Sequence, residues 1–131
     1  MKPERILVVD DDDAARGLLQ AVLEHLGYRV LLARSGLEAL DLFARQSEEV
    51  DLVILDLSMP VMSGAKALPQ LRAIRPGVPI VVSSGYDKSE AVHRCGSYTE
   101  GFIQKPFSIA QLAQTVKNAL QPVDSRSASP V

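Results

Sequence analysis

The sequence predicts an α/β domain of the doubly wound kind: a five-stranded parallel sheet with helices on both faces, in a (βα)5 order. Three observations carry this. Residues 6–9 and 52–55 are short, wholly apolar, β-rich runs, the composition of strands buried on both faces of a parallel sheet. Between the apolar runs lie stripes at helical spacing, so strand and helix alternate along the chain. Both wholly apolar runs stop at aspartate, Asp10 and Asp56, which places acidic groups together at the carboxyl ends of the strands.

The elements follow in order. Ile6, Leu7, Val8 and Val9 form the first strand, and four aspartates, Asp10 to Asp13, carry it into a helix. Leu18, Leu19, Val22, Leu23 and Leu26 make the apolar stripe of that helix, which Gly27 ends as a natural C-terminal residue. Residues 29–33 read as the second strand, 37–45 as the second helix and 52–55 as the third strand. The third helix contains Pro69, which has no amide hydrogen to donate. A start near Lys66 would leave Pro69 harmlessly in the first turn of a short or kinked helix. Residues 79–83 and 100–104 are the fourth and fifth strands, and residues 109–120 form a closing amphipathic helix capped by Ser108. Strands joined by helical crossovers run parallel with right-handed connections, so their carboxyl ends share one edge, where ligands bind in such sheets. The folded domain is expected over residues 1–121. Residues 122–131, rich in Ser and Pro, read as a tail or linker with little to bury.

At 131 residues the chain suits one domain with its own core, and 47% hydrophobic with 23% charged residues is an ordinary globular composition. A net charge of −2 provides no basic footprint for direct nucleic-acid binding or for an anionic membrane surface. The single cysteine, Cys95, excludes an internal disulfide, and the two histidines lack the partners of a zinc site. No apolar run approaches the roughly 18 residues of a membrane span, and residues 1–5 lead into a strand without a signal-peptide core, so no membrane insertion and a cytoplasmic location are expected.

On this architecture Asp10 and Asp11 end the first strand, Asp56 the third, Ser83 and Ser84 the fourth, and Lys105 the fifth. Asp12 and Asp13 suit helix capping, because acidic groups are favoured at a helix N-terminus. Three carboxylates from two neighbouring strand ends repel one another, and a hard dication resolves that repulsion. Mg²⁺, which takes one or two protein carboxylates and shares its remaining positions with water and phosphate oxygens, fits the donor set. Lys105 is placed to pair with Asp56 and then with a phosphoryl oxygen, and a serine hydroxyl can donate to another. A carboxylate nucleophile, a metal, a lysine and a hydroxyl together make a phosphoryl-transfer site.

The runs "ILVVDDDD", "VDLVILDLSMPVMSG", "IVVSSGY" and "GFIQKPF" resemble the receiver domain of bacterial response regulators and hybrid sensor kinases, over roughly residues 4–121. The resemblance implies the flavodoxin-like form of the fold. It further implies that Asp56 accepts a phosphoryl group from a histidine kinase or histidine phosphotransfer protein, and that a dimer formed on phosphorylation is compatible with the pattern. Asp11, Asp56, the backbone carbonyl of Ser58 and, through water, Asp10 would hold Mg²⁺ or Mn²⁺. Ser84 matches the switch hydroxyl, with Ser83 as the adjacent alternative, and Lys105 matches the family's lysine, followed by a cis peptide to Pro106. Phe102 stands at the aromatic switch position without a tyrosine's hydroxyl, while Ser58 and Tyr86 flank the path of a hydrolytic water. Such a chain is a signalling phosphoacceptor whose own catalysis is limited to gaining and losing that phosphate. A haloacid-dehalogenase-type phosphatase would need an aspartate where Ser58 stands, and a flavodoxin-type cofactor module would place a phosphate where four aspartates repel it. A receiver acting only as a binding module, and membership of a longer regulator or kinase, stay open.

Overall fold

The computed structural model describes residues 3–59, 62–85, 87–95 and 99–121; the expected tail and Tyr86 lie outside them. Eleven elements follow one another: β1 (Arg5–Val9), α1 (Asp13–His25), β2 (Arg29–Ala33), α2 (Gly36–Gln46), a 3-10 turn (Ser47–Glu49), β3 (Leu52–Asp56), α3 (Gly64–Ile74), β4 (Ile80–Ser84), α4 (Lys88–Cys95), β5 (Gly101–Gln104) and α5 (Ile109–Ala119). All strand pairs are parallel, in the order β2-β1-β3-β4-β5. The chain leaves β1 in one direction to make β2 and returns past it to make β3. The order therefore reverses between β1 and β3, the place where such sheets open a crevice at their carboxyl edge.

Alternate strand residues feed two cores. Leu7, Val9, Val53, Leu55, Ile80 and Val82 face α2, α3 and α4, where Phe43, Leu68, Leu71 and Ala91 meet them. Ile6, Val8, Leu52, Ile54, Val81 and Ile103 face α1 and α5, against Leu19, Leu23, Leu112 and Val116. Burial on both faces is why the strands are apolar throughout, each large side chain contributing about 1.5–3 kcal/mol. Gly27 takes a positive φ of 100°, as expected for the residue that ends α1. Ser108 closes a capping box with Gln111 at the start of α5.

One expectation is corrected. α3 begins at Gly64 rather than near Lys66, so Pro69 lies in its second turn and the Ala65 carbonyl lacks the amide hydrogen it would otherwise accept. Two things outweigh that loss: the Ser63 hydroxyl caps the Lys66 amide, and Ala67, Leu68 and Leu71 are buried on the sheet. The fourth and fifth strands each begin one residue later than the pattern suggests. Pro79 and Glu100 act just before them, the Pro79 carbonyl accepting from the Val53 amide at 3.0 Å and the Glu100 carboxylate accepting from the Ile80 amide at 2.8 Å.

Candidate functional site

The carboxyl ends of β1, β3, β4 and β5 bring together Asp10, Asp56, Ser83, Ser84 and Lys105. Asp10 is 1% exposed, and its two carboxylate oxygens have separate partners: Oδ1 accepts from the Asp12 amide at 2.9 Å, and Oδ2 accepts from Lys105 Nζ at 2.9 Å. Asp11 is exposed beside it. Asp12 caps α1 by accepting from the Ala15 amide at 3.3 Å, and Asp13 pairs with Arg16. The four aspartates thus divide as expected, two toward the crevice and two toward the helix.

Asp56, 4% exposed, accepts from the Ser58 amide at 3.1 Å through Oδ1, and its Oδ2 lies 3.7 Å from Lys105 Nζ. The ammonium is therefore shared between two carboxylates and sits nearer Asp10 than Asp56, the partner expected from sequence. The Lys105–Pro106 peptide is cis. Burial disfavours the charged lysine, but the hydrogen bond to Asp10 and the negative charges of Asp56, Asp10 and Asp12 outweigh it and hold its pKa above the ordinary lysine value. Asp56 shows the complementary effect. Burial raises its pKa, and Asp10 and Asp11 add to that rise against the opposing Ser58 hydrogen bond and Lys105 charge.

Asp10, Asp11 and Asp56 each offer an oxygen, all within 4.8 Å of one another. Among the described residues, Lys105 pairs with buried Asp10 and Asp56 while exposed Asp11 adds a third carboxylate, which leaves an excess of negative charge at the crevice. Hard oxygen donors with that excess fit a small divalent cation.

The two serines of β4 point to opposite faces. Ser84 shares the face of Ile80 and Val82, on which Phe102 also packs; Phe102 is paired with Val82 in register. Ser83 shares the face of Val81 and Ile103. Both are buried, and the Ser84 carbonyl accepts from the Lys105 amide at 2.7 Å, tying the end of β5 to β4. Ser84 thus shares the sheet face of Phe102, and Ser83 does not.

Two residues at the site escaped the sequence reading. Arg16 donates to the Asp10 carbonyl at 2.9 Å and pairs with Asp13, pinning the turn that carries Asp11; its three-residue spacing from Asp13 on a helix was the available signal. Gly64 lies against the backbone beneath the acidic cluster. A Cβ there would sit 2.2 Å from the Asp56 carbonyl oxygen, so only glycine fits. A glycine directly after a serine cap, where a better helix former would serve, marks it in the sequence.

Residues 6–117 match a family model described as the response regulator receiver domain. The sensor kinase CckA of Brucella abortus is 38% identical over 120 residues, an alignment covering 91% of this chain and 13% of that protein. The response regulator MprA of Mycolicibacterium vanbaalenii is 40% identical over 120 residues, covering 91% of this chain and 51% of that protein. The chain thus spans about half the length of one relative and a smaller part of the other. Among solved structures, the response regulator protein TrrA from Thermotoga maritima in complex with Mg²⁺-BeF superposes with a TM-score of 0.79 at 33% identity, covering 89% of this chain and 99% of that one. Among the described residues, no helix is long and apolar enough to cross a membrane.

Proposed function

The chain belongs to the response regulator receiver domain family, and from that premise we propose that it takes a phosphoryl group from a phosphohistidine onto Asp56, in a Mg²⁺-dependent reaction, and changes conformation to control an output or partner. The observation that carries this reading is the buried Asp56 carboxylate, held beside two further carboxylates and within reach of one ammonium. An Asp56 oxygen attacks phosphorus while the bond from phosphorus to the donor's imidazole nitrogen breaks, leaving an acyl phosphate and a free histidine. The Ser58 amide holds Oδ1 in place. That leaves Oδ2, near Lys105, as the attacking atom.

Asp10, Asp11, Asp56 and the Ser58 carbonyl would hold the Mg²⁺ or Mn²⁺, which when bound neutralises charge on the phosphoryl oxygens. The Lys105 ammonium moves from Asp10 to a phosphoryl oxygen, and the Ser84 hydroxyl donates to another, drawing the end of β4 inward. Phe102, on the same sheet face, packs into the space so opened, and the change spreads over α4, β5 and α5. Ser58, two residues beyond Asp56, borders the approach of the water that removes the phosphate. A histidine kinase or histidine phosphotransfer protein is the donor, consistent with the sensor kinase among the relatives.

Incubation with Mg²⁺ and acetyl phosphate, read by intact-protein mass spectrometry, tests the reading. The wild type gains one phosphoryl group and Asp56→Asn gains none. Undiminished labelling of the variant would overturn the assignment.

A further inference from the structure

Among the described residues, Ser83 is the one buried polar residue that the proposed chemistry leaves unused. It is 1% exposed, and its hydroxyl has no hydrogen-bond partner among the described residues. A buried hydroxyl without a partner is destabilising, so its presence at the carboxyl end of this face, where the apolar residues give way to Asp56, calls for a compensating role. Its place is specific. In register it stands directly between Asp56 on β3 and Ile103 on β5, and its carbonyl accepts from the Leu57 amide at 3.0 Å. It lies on the sheet face of Ile103, opposite to Ser84.

The sheet order brings a charged side chain across this position. Lys105 leaves β5 and reaches Asp10 at the end of β1, so its side chain crosses the ends of β4 and β3. A phosphoryl group on Asp56 concentrates negative charge at the end of β3 and draws the ammonium away from Asp10, one strand nearer to β4. An ammonium has three donors, and Asp10 and Asp56 are its present partners.

We propose that Ser83 is a positioning residue for the phosphorylated state: its hydroxyl, unpaired at rest among the described residues, accepts a hydrogen bond from the Lys105 ammonium once the lysine has moved to the phosphoryl group on Asp56. The inference rests on the phosphoryl chemistry proposed above. It gives the two serines of β4 separate tasks, Ser84 donating to the phosphoryl group from one face and Ser83 fixing the lysine from the other. A hydroxyl that is a liability at rest and a partner after phosphorylation biases the equilibrium between the two states toward the second.

The test measures affinity for beryllofluoride with Mg²⁺, and melting of the unliganded protein, for wild type, Ser83→Ala, Ser83→Thr and Asp56→Asn. Ser83→Ala should melt at or above the wild-type temperature without ligand, yet bind the mimic about five-fold more weakly; Ser83→Thr should restore binding. In a Lys105→Ala background the effect of Ser83→Ala should vanish. Equal affinity of Ser83→Ala and wild type, an unliganded melting point clearly below wild type, or an undiminished effect without Lys105 would each overturn the proposal. Failure of the wild type to bind the mimic, or undiminished binding by Asp56→Asn, would instead overturn the phosphoacceptor reading itself.

Discussion

At the scale of single residues, the site is a balance of charge rather than a set of isolated groups. Asp56 has its pKa raised by burial first and by Asp10 and Asp11 after it. An acid whose pKa is higher folded than unfolded binds more protons in the native state, so its contribution to stability falls as pH rises above the ordinary carboxylate value. In metal-free buffer Asp56→Asn, which imitates the protonated form, should therefore melt close to wild type at about pH 4 and above it near pH 7. A wild type that gained on the variant with rising pH would show that the carboxylate is stabilised in its charged form. The identity of these acids was legible because aspartates ending apolar strands have few structural uses. The partner of Lys105 was not. Its preference for Asp10 depends on how three strand ends are spaced, and alternation of strand and helix along a chain does not state which strands are neighbours. The motif in the sequence favoured Ser84 over Ser83, and alternation along β4 puts the two on opposite faces of the sheet.

At the scale of elements, the sequence announces most of the fold through local chemistry: wholly apolar strands, a glycine after α1, serine caps before α2, α3 and α5. It misled where two local rules disagreed. Pro69 argues for a late start to α3 and Ser63 for an early one; the cap and the buried Ala67, Leu68 and Leu71 prevail. The proline remains a defect within a helix that anchors the loop after Asp56. Because it is exposed, Pro69→Ala should stabilise the protein by about 1–2 kcal/mol, the helical gain exceeding the entropy that proline removes from the unfolded chain. Urea unfolding followed by circular dichroism measures this, and a lower midpoint for the variant would show that the proline fits its turn better than its geometry implies.

At the scale of the whole molecule, metal binding should be visible as stability, since a cation that binds the folded crevice and not the open chain shifts unfolding by mass action. Mg²⁺ at ten times its dissociation constant should add about 1.4 kcal/mol. Melting curves with and without Mg²⁺ should show a rise for wild type, Asp12→Ala and Asp13→Ala that is lost in Asp11→Ala, because Asp12 and Asp13 serve α1. An equal loss in all three variants would mean that total charge, not the Asp11 ligand, attracts the ion. The link between Asp10 and Lys105 has a consequence for error. It joins residues 95 positions apart, with every strand but β2 contributing between its ends or beside them. No fragment, nascent chain or partly opened form in which β5 has left β4 can contain the assembled site. Under the proposed phosphoryl chemistry, damage to the fold would leave the domain without its site, so that only a fully assembled sheet could carry the phosphate.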